Sequence, residues 1–218
     1  MKKKVILWDL DGTIIDSEEG VTKCVQYALR HFGIEEPDLK KLRVFIGPPL
    51  RGQFRKVYGL TPEQAEIAVL KYRERFDEKG MYECGLYPQV EETLRSLKAK
   101  GYQQAIASSK NETACIEILR NLEIDQYFDL IGGATDDGKI SQKADVLAMV
   151  MERMGQKDAR SYVLIGDTGF DVLGANAVHM DCIGITYGFG TREELAGAVA
   201  VFADLREVEA YLDGEAFR

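Results

Sequence analysis

The fold is decided by one stretch near the amino terminus, Val5-Ile6-Leu7-Trp8-Asp9-Leu10-Asp11-Gly12-Thr13. Its apolar run, 5–8, predicts a buried strand of a parallel sheet. Asp9 and Asp11 follow with one residue between them, and Gly12 favours a sharp turn of the backbone. We therefore expect two carboxylates at the carboxyl end of a central strand, where open α/β sheets bind their ligands. Because adjacent carboxylates repel each other, we expect a hard cation such as Mg2+ beside them.

Length and charge exclude several classes of function. The 218 residues, 45% of them hydrophobic, suffice for one large domain or for one domain with an insert. The formal net charge of -8 argues against a nucleic-acid partner or an anionic membrane surface, since both require a basic face. A small anionic substrate stays compatible with this charge, because a metal ion and one or two lysines reverse the field locally.

The rarer residue types indicate a cytoplasmic protein that does not use histidine chemistry. The cysteines lie far apart, which predicts reduced thiols: Cys24, Cys84, Cys115 and Cys182. The first apolar run is too short for a signal peptide, and no stretch approaches the roughly 20 apolar residues of a membrane span. His31 and His179 stand in surroundings typical of structural histidines. Proton transfer is therefore expected to use a carboxylate.

Strands and helices alternate from Leu86 onward, which predicts a parallel sheet covered by helices on both faces. The predicted strands after the first are 104–107, 128–131, 162–165 and 182–186. Helices are expected to open at Pro88 and Lys143, and a capping box is expected at Thr191 and Glu194. Residues 16–84 instead predict helices and loops, with Ser17 as a helix cap and a capping box over 61–64. We thus expect a core of 1–15 and 85–218 with a helical domain, 16–84, inserted in it.

Polar side chains follow several of the predicted strands and should converge at one crevice. They are Asp9, Asp11, Ser108, Ser109, Lys110, Lys143, Asp167 and Asp171. Taken singly, each has an ordinary explanation as a helix cap or a solvated charge. Together they fit phosphoryl transfer from a monoester: one carboxylate attacks phosphorus, a second protonates the leaving oxygen, and Mg2+ shields the nucleophile. A lysine, a hydroxyl and backbone N–H groups near Gly12 and Ser109 would hold the phosphate oxygens.

Four stretches in this order resemble the four motifs of the haloacid dehalogenase superfamily: DLDGT at 9–13, SSK at 108–110, the helix-opening Lys143 and GDTGFD at 166–171. The resemblance implies that Asp9 is the nucleophile and Asp11 the general acid and base. It implies further roles for four residues: the motif II hydroxyl for Ser108, a phosphate-binding lysine for Lys143, a direct metal ligand for Asp167 and a second acidic metal position for Asp171. The last often acts through water, and the backbone carbonyl of Asp11 would complete the protein ligands of Mg2+.

Asp11 distinguishes phosphatases from dehalogenases, which lack this second aspartate. The resemblance implies a Rossmann-like α/β core with an inserted small α-helical cap, which closes over the site. The stretches 45–50 and 185–190 resemble the 5'-nucleotidase-like branch, and phosphoglycolate phosphatases and pyrophosphatases share parts of them. We therefore expect a Mg2+-dependent phosphomonoesterase that forms an aspartyl-phosphate on a small phosphorylated metabolite. A nucleoside 5'-monophosphate is one candidate substrate, and phosphoglycolate, pyrophosphate or a broad range of metabolites are alternatives.

Substrate contacts and partners are less well defined by the sequence. Gly47, Pro48 and Arg51 of the cap are predicted substrate contacts, and Lys56 is a further candidate, although both charged residues also fit a solvated surface. Lys110 is expected to approach either the phosphate or the cap; Lys143 is preferred for the phosphate because it opens a helix. A non-enzymatic phospho-receiver module is the alternative of another class, but such modules are shorter and lack the insert. The oligomeric state stays open, and no nucleic-acid or membrane partner is expected.

Overall fold

The computed structural model describes residues 5–214. The chain forms two compact units. An α/β unit contains the described residues up to Ile15 and those from Leu86 onward, and a helical unit consists of Asp16–Gly85.

The α/β unit is built on a six-stranded sheet in which every described strand pair is parallel. In chain order the strands are β1 (Val5–Trp8), β2 (Ile15–Asp16), β3 (Gly85–Leu86), β4 (Gln103–Asn111), β5 (Leu130–Ala134), β6 (Tyr162–Gly166), β7 (Asp181–Ile185) and β8 (Ala200–Phe202). The order across the large sheet is β5-β4-β1-β6-β7-β8, and β2 and β3 form a separate two-stranded sheet. The predicted Rossmann-like α/β fold class is confirmed.

Eight α-helices are described between residues 5 and 214: α1 (Glu18–Arg30), α2 (Leu50–Tyr58), α3 (Pro62–Glu78), α4 (Val90–Ala99), α5 (Glu112–Asn121), α6 (Lys143–Arg153), α7 (Gly169–Ala177) and α8 (Leu205–Asp213). The first three belong to the helical unit and the other five to the α/β unit. In this part of the chain, no helix combines the length and the apolar character that crossing a bilayer requires.

Strand β1 lies at the centre of the sheet because all four of its side chains are apolar and buried. It pairs with β4 on one side and β6 on the other, with Trp8 opposite both Ile106 and Ile165. This register places the residues that follow Trp8, Ile106 and Ile165 next to one another, at the level where β1 ends.

Several predicted elements of the α/β unit differ in their bounds. Helix α4 begins at Val90, two residues after Pro88, because Gln89 has a φ of 69° that no helix continues. Strand β4 runs on to Asn111, with an irregular register to β5 after Ala107, instead of ending there. The capping-box hydrogen bonds between Thr191 and Glu194 form, yet only turns follow them. Strand β8 was not predicted, since three residues carry too little pattern.

The helical unit confirms one predicted cap and corrects the other. The Thr61 side chain accepts the Gln64 N–H, while the Gln64 side chain accepts the Thr61 N–H, as the predicted capping box requires. At α1, however, the Glu18 N–H donates to Asp16 Oδ1 at 3.0 Å and not to Ser17. Ser17 Oγ is buried without a hydrogen-bond partner in the described part of the chain. Asp16 is better placed because its longer side chain closes an Asx turn onto the residue two positions ahead.

Candidate active site

The turn after β1 fixes Asp9 and Asp11. The Asp9 N–H still donates to Ile165 O of β6 at 2.9 Å, so the sheet holds the backbone of Asp9. The chain then reverses: Gly12 has a φ of 84° and its N–H donates to Ile15 O at 2.9 Å. The Gly12 N–H is thus used within the turn, and the phosphate-binding role predicted for backbone N–H groups near Gly12 stays a prediction. A Cβ at Gly12 would collide with the Asp167 carboxylate, so glycine is required here by space as well as by φ.

Lys143 is the first residue of α6, and its side chain extends to Asp9. Its Nζ lies 2.6 Å from Asp9 Oδ1 and 3.0 Å from Ala107 O, and 2.8 Å from Asp171 Oδ1. Only 5% of the Lys143 side chain is exposed. Gly174 of α7 makes room for this stem, since a Cβ there would meet Lys143 Cβ and Cγ. A single ammonium is thus shared between two buried carboxylates.

Three carboxylates lie close enough to one another to hold a metal ion. One ligand atom from each of Asp9, Asp167 and Asp171 lies within 4.8 Å of the others, and all three residues are buried. Asp167 accepts the Phe189 N–H at 2.7 Å through Oδ2 and the Thr13 hydroxyl at 3.4 Å through Oδ1. These hydrogen bonds orient Asp167 before any ligand arrives.

Asp171 sits on the first turn of α7, close to the strand end. Its Oδ2 accepts both the N–H and the hydroxyl of Thr168, at 3.0 and 2.8 Å. Its Oδ1 is buried and accepts no hydrogen bond of good geometry within residues 5–214, despite its closeness to Lys143. Gly166 at the end of β6 lies so close to the Asp171 side chain that a Cβ there would collide with Asp171 Cγ. Asp171 therefore keeps one oxygen directed at the cluster.

Asp11 stands apart from this cluster and pairs with Lys110. Lys110 Nζ is 3.1 Å from Asp11 Oδ2, and each side chain is 10% exposed. Asp11 Oδ1 is buried without a hydrogen-bond partner in the described residues. The sequence left Lys110 between the phosphate and the cap, and the structure places it against the predicted acid and base. Because the side chain of Asp11 lies outside the three-carboxylate group, only its backbone carbonyl stays a candidate metal ligand.

The end of β4 presents the predicted phosphate-binding hydroxyls. Ser108 is buried and its Oγ accepts the Lys110 N–H at 3.2 Å, which leaves its own proton for another acceptor. Ser109 is half-buried. Asn111 ends the strand and caps α5, where its side chain accepts the Ala114 N–H. The Lys143 contact with Ala107 O brings the ammonium to this same strand end.

Without a bound metal ion, the carboxylates of the site outnumber its one ammonium, that of Lys143. Burial raises the pKa of Asp9 to about 6, although Lys143 works against that rise. Burial, followed by the charges of Asp171 and Asp9, raises the pKa of Asp167 well above its usual range. Burial alone would lower the pKa of Lys143, but the two neighbouring carboxylates outweigh it and keep the pKa above its usual value. One ammonium faces three carboxylates, so an oxygen-liganded divalent cation such as Mg2+ fits this donor set.

A glycine-rich loop after β7, 187–190, encloses the site and was not predicted as part of it. A Cβ at Gly188 would meet Asp167 Oδ2 and Gly12 O, and a Cβ at Gly190 would meet Asp167 O. The Tyr187 hydroxyl donates to Thr13 O at 2.8 Å. The alternation of glycines directly after a strand end was the available signal, since it allows close approach of the backbone to another group.

The predicted cap contacts lie in the helical unit. Gly47 has a φ of 98° and precedes Pro48 in the loop before α2. Arg51, in the first turn of α2, has its Nε 2.5 Å from Glu66 Oε1, and Lys56 is exposed on the same helix. Their contact with a substrate stays a prediction.

Comparison with known proteins agrees with this geometry. A family model described as haloacid dehalogenase-like hydrolase matches residues 6–185. The chain is 40% identical to a 5'-nucleotidase of Pseudomonas aeruginosa over 190 residues, which is 87% of this chain and 86% of that protein. It is 31% identical to a phosphoglycolate phosphatase of Aquifex aeolicus over 169 residues, 78% of each. The solved structure of a predicted phosphatase from Clostridium acetobutylicum has a TM-score of 0.94 and 40% identity, covering 97% of this chain and 99% of that one.

The family match spans most of the chain, and two relatives with more than 30% identity are named 5'-nucleotidase and phosphoglycolate phosphatase. The resemblance seen in the sequence is thereby confirmed. This chain belongs to the haloacid dehalogenase-like hydrolases and is one of their phosphatases.

Proposed function

We propose that this protein hydrolyses a small phosphate monoester with the help of Mg2+ and through a phosphorylated Asp9. The observation that carries the proposal is the position of Asp9. Its Oδ1 is held 2.6 Å from Lys143, and it is the one member of the buried carboxylate trio that lies directly after the central strand. The alternative of a non-enzymatic receiver module is not supported, because the family match places the chain among hydrolases.

Asp9 is proposed as the nucleophile. The Lys143 contact holds one carboxylate oxygen and leaves the other to attack phosphorus. The new bond joins Asp9 to the phosphoryl group while the bond from phosphorus to the leaving oxygen breaks, which divides one difficult step into two. Lys143 also offers positive charge to the phosphoryl oxygens, and the Ser108 hydroxyl and Ser109 offer donors to them.

Asp11 is proposed as the general acid and then the general base. It is close enough to the surface to meet the leaving group, with 10% of its side chain exposed, and it lies outside the cluster that would bind metal. In the first step it gives a proton to the leaving oxygen. In the second it takes a proton from the water that attacks phosphorus, while the bond between phosphorus and Asp9 breaks, so that inorganic phosphate leaves and the Asp9 carboxylate is restored.

Mg2+ would be held by Asp9, Asp167, Asp171 and the backbone carbonyl of Asp11. When bound, the ion neutralises the excess carboxylate charge and stabilises the charge that develops on the phosphoryl oxygens. The protein has already arranged Asp167 through the Phe189 N–H, and Asp171 through Thr168. Asp171 would hold the ion directly or through a water molecule.

A nucleoside 5'-monophosphate is the first candidate substrate, because the 40% identical relative is named 5'-nucleotidase. Phosphoglycolate is the second, because of the 31% identical relative, and pyrophosphate and other small metabolites complete the set to be tested. We propose that the helical unit, Asp16–Gly85, is the cap that selects among them. Gly47, Pro48 and Arg51 are its proposed contacts, and Arg51 would exchange Glu66 for an anionic group of the substrate.

The test measures phosphate release from this panel with Mg2+ and with EDTA, for the wild type and for Asp9→Asn. We expect hydrolysis only with Mg2+, and none by the variant, which keeps the shape of Asp9 and removes its charge. Hydroxylamine added during turnover should convert the phosphorylated side chain to a hydroxamate that mass spectrometry locates at Asp9. Asp77→Asn, at an exposed position, is the control. Hydrolysis that persists in EDTA refutes the metal requirement, and turnover by Asp9→Asn refutes the covalent step.

A further inference from the structure

We propose that Tyr187 is a positioning residue for the Mg2+ site, because it ties the loop 187–190 to the turn after β1 and so fixes Asp167. The inference rests on the Mg2+ site of the proposed function. Tyr187 touches none of the reacting groups in that proposal, and its effect would be exerted through the groups it holds.

Asp167 is enclosed by the loop that Tyr187 begins. Its Oδ2 accepts the Phe189 N–H at 2.7 Å. The Cα positions of Gly188 and Gly190 press so closely on Asp167 that a Cβ on either would collide with its side chain or carbonyl oxygen. Asp167 itself has no exposed surface. Its orientation therefore depends on where this loop lies.

Tyr187 connects the loop to the other group that holds Asp167. Its hydroxyl donates to Thr13 O at 2.8 Å, and the Thr13 hydroxyl donates to Asp167 Oδ1 at 3.4 Å. The contacts form a closed circuit from Asp167 through Phe189 and Tyr187 to Thr13 and back. Each oxygen of the Asp167 carboxylate is held by one side of this circuit, and the Tyr187 hydroxyl is the link that joins the two sides.

The ring of Tyr187 is itself held in place. It packs against Tyr87, with ring centroids 4.8 Å apart and an interplanar angle of 52°. The Tyr87 N–H donates to Ile14 O at 3.1 Å, next to Thr13. Burial, and next the charge of Asp167, raise the pKa of Tyr187, so its hydroxyl is a proton donor at neutral pH.

Tyr187→Phe removes this one link, and Tyr102→Phe is the matched control. The Tyr102 hydroxyl also donates to a buried backbone carbonyl, Leu212 O at 2.9 Å, in the same unit but with no part in the circuit. Mg2+ binding is measured without substrate by calorimetry and by the fluorescence of Trp8, the single tryptophan, which precedes Asp9. Loss of one neutral hydrogen bond predicts a rise of about fivefold in the Mg2+ Kd for Tyr187→Phe and less than about twofold for the control.

Three results decide the inference. A Tyr187→Phe protein that binds Mg2+ with the wild-type Kd overturns it, and so does an equal loss in Tyr102→Phe, which would indicate a general effect on stability. If the wild type binds no Mg2+, the metal site of the proposed function fails, and this inference fails with it. Should Tyr187→Phe not fold, Tyr87→Leu removes the ring support while keeping the hydroxyl, and a wild-type Kd for that variant likewise overturns the proposal.

Discussion

The site is arranged so that removing its proposed nucleophile should stabilise the metal-free protein. Asp9, Asp167 and Asp171 crowd around one ammonium, that of Lys143. Asp9→Asn removes one negative charge from this group, while its side-chain oxygen still accepts from Lys143. We therefore predict that Asp9→Asn is more stable than the wild type in EDTA at pH 7.5.

The magnitude follows from the pKa of Asp9, which burial raises from 3.8 to about 6. At about 1.4 kcal/mol per pKa unit, ionised Asp9 costs the folded state about 3 kcal/mol. This cost is already net of the attraction between Lys143 and the ionised carboxylate, which lowers the pKa of Asp9, so nothing more is subtracted for the weaker hydrogen bond to an amide. A gain of about 3 kcal/mol corresponds to a rise in Tm of about 6–12 °C for a chain of this size.

The pH dependence gives the sign of the effect. At Asp9, the folded state binds more protons than the unfolded state between the unfolded pKa of 3.8 and the folded value of about 6. The contribution of Asp9 to the stability of the metal-free wild type should therefore fall as the pH rises through this window, and Asp9→Asn lacks this contribution. The advantage of the variant should be largest above pH 6 and should nearly vanish at pH 4.

The assay is urea unfolding in EDTA at pH 4, 5, 6 and 7.5, with the exposed Asp77→Asn as control, expected within about 0.5 kcal/mol of the wild type. Saturating Mg2+ should reverse the order, because the ion stabilises the wild type more than a variant that lacks one of its ligands. The electrostatic reasoning is refuted if Asp9→Asn is less stable than the wild type in EDTA at pH 7.5, or if its advantage does not shrink toward pH 4.

Three further variants test other parts of the structure. Lys143→Met should cost about 3–5 kcal/mol in EDTA, because it leaves buried carboxylates without their cation; a loss below about 1 kcal/mol in urea unfolding would contradict this. Gly174→Ala puts a methyl group against the Lys143 stem, so kcat/KM should fall more than tenfold, whereas Gly85→Ala, with open space around it, should stay within about twofold. Glu83 accepts two hydrogen bonds from Arg75, and these, together with Lys23, hold the pKa of Glu83 below its usual value. The ion pair therefore stabilises the helical unit fully at pH values above the unfolded pKa of 4.5. This stabilisation is lost as the pH falls through the folded pKa. Glu83→Gln should thus lose about 1–2 kcal/mol at pH 7 and less than this at pH 3, and an equal loss at both would count against the charge argument.

Local pattern was enough to predict the elements that carry the chemistry. The run before Asp9 was predicted to be a buried strand, because its four apolar residues are followed by carboxylates and a glycine that favours a turn, and the structure confirms it. Lys143 as the first residue of its helix, and the capping box at Thr61, also follow from a few adjacent residues. Where the pattern was short or ambiguous it failed, as at β8 and at the Ser17 cap.

The sequence by itself determined which residue types stand at which strand ends, and with them the α/β fold and the reaction class. Only the tertiary structure decided which groups meet: that Lys143 lies between Asp9 and Asp171, that Lys110 pairs with Asp11, and that a loop from the end of β7 encloses Asp167. The physical reason is the separation along the sequence of the residues that determine each feature. A strand, a turn or a cap depends on residues a few positions apart. These contacts instead join residues 22 to 134 positions apart that belong to different strands, helices and loops, and their geometry follows from the packing of the whole sheet and its helices.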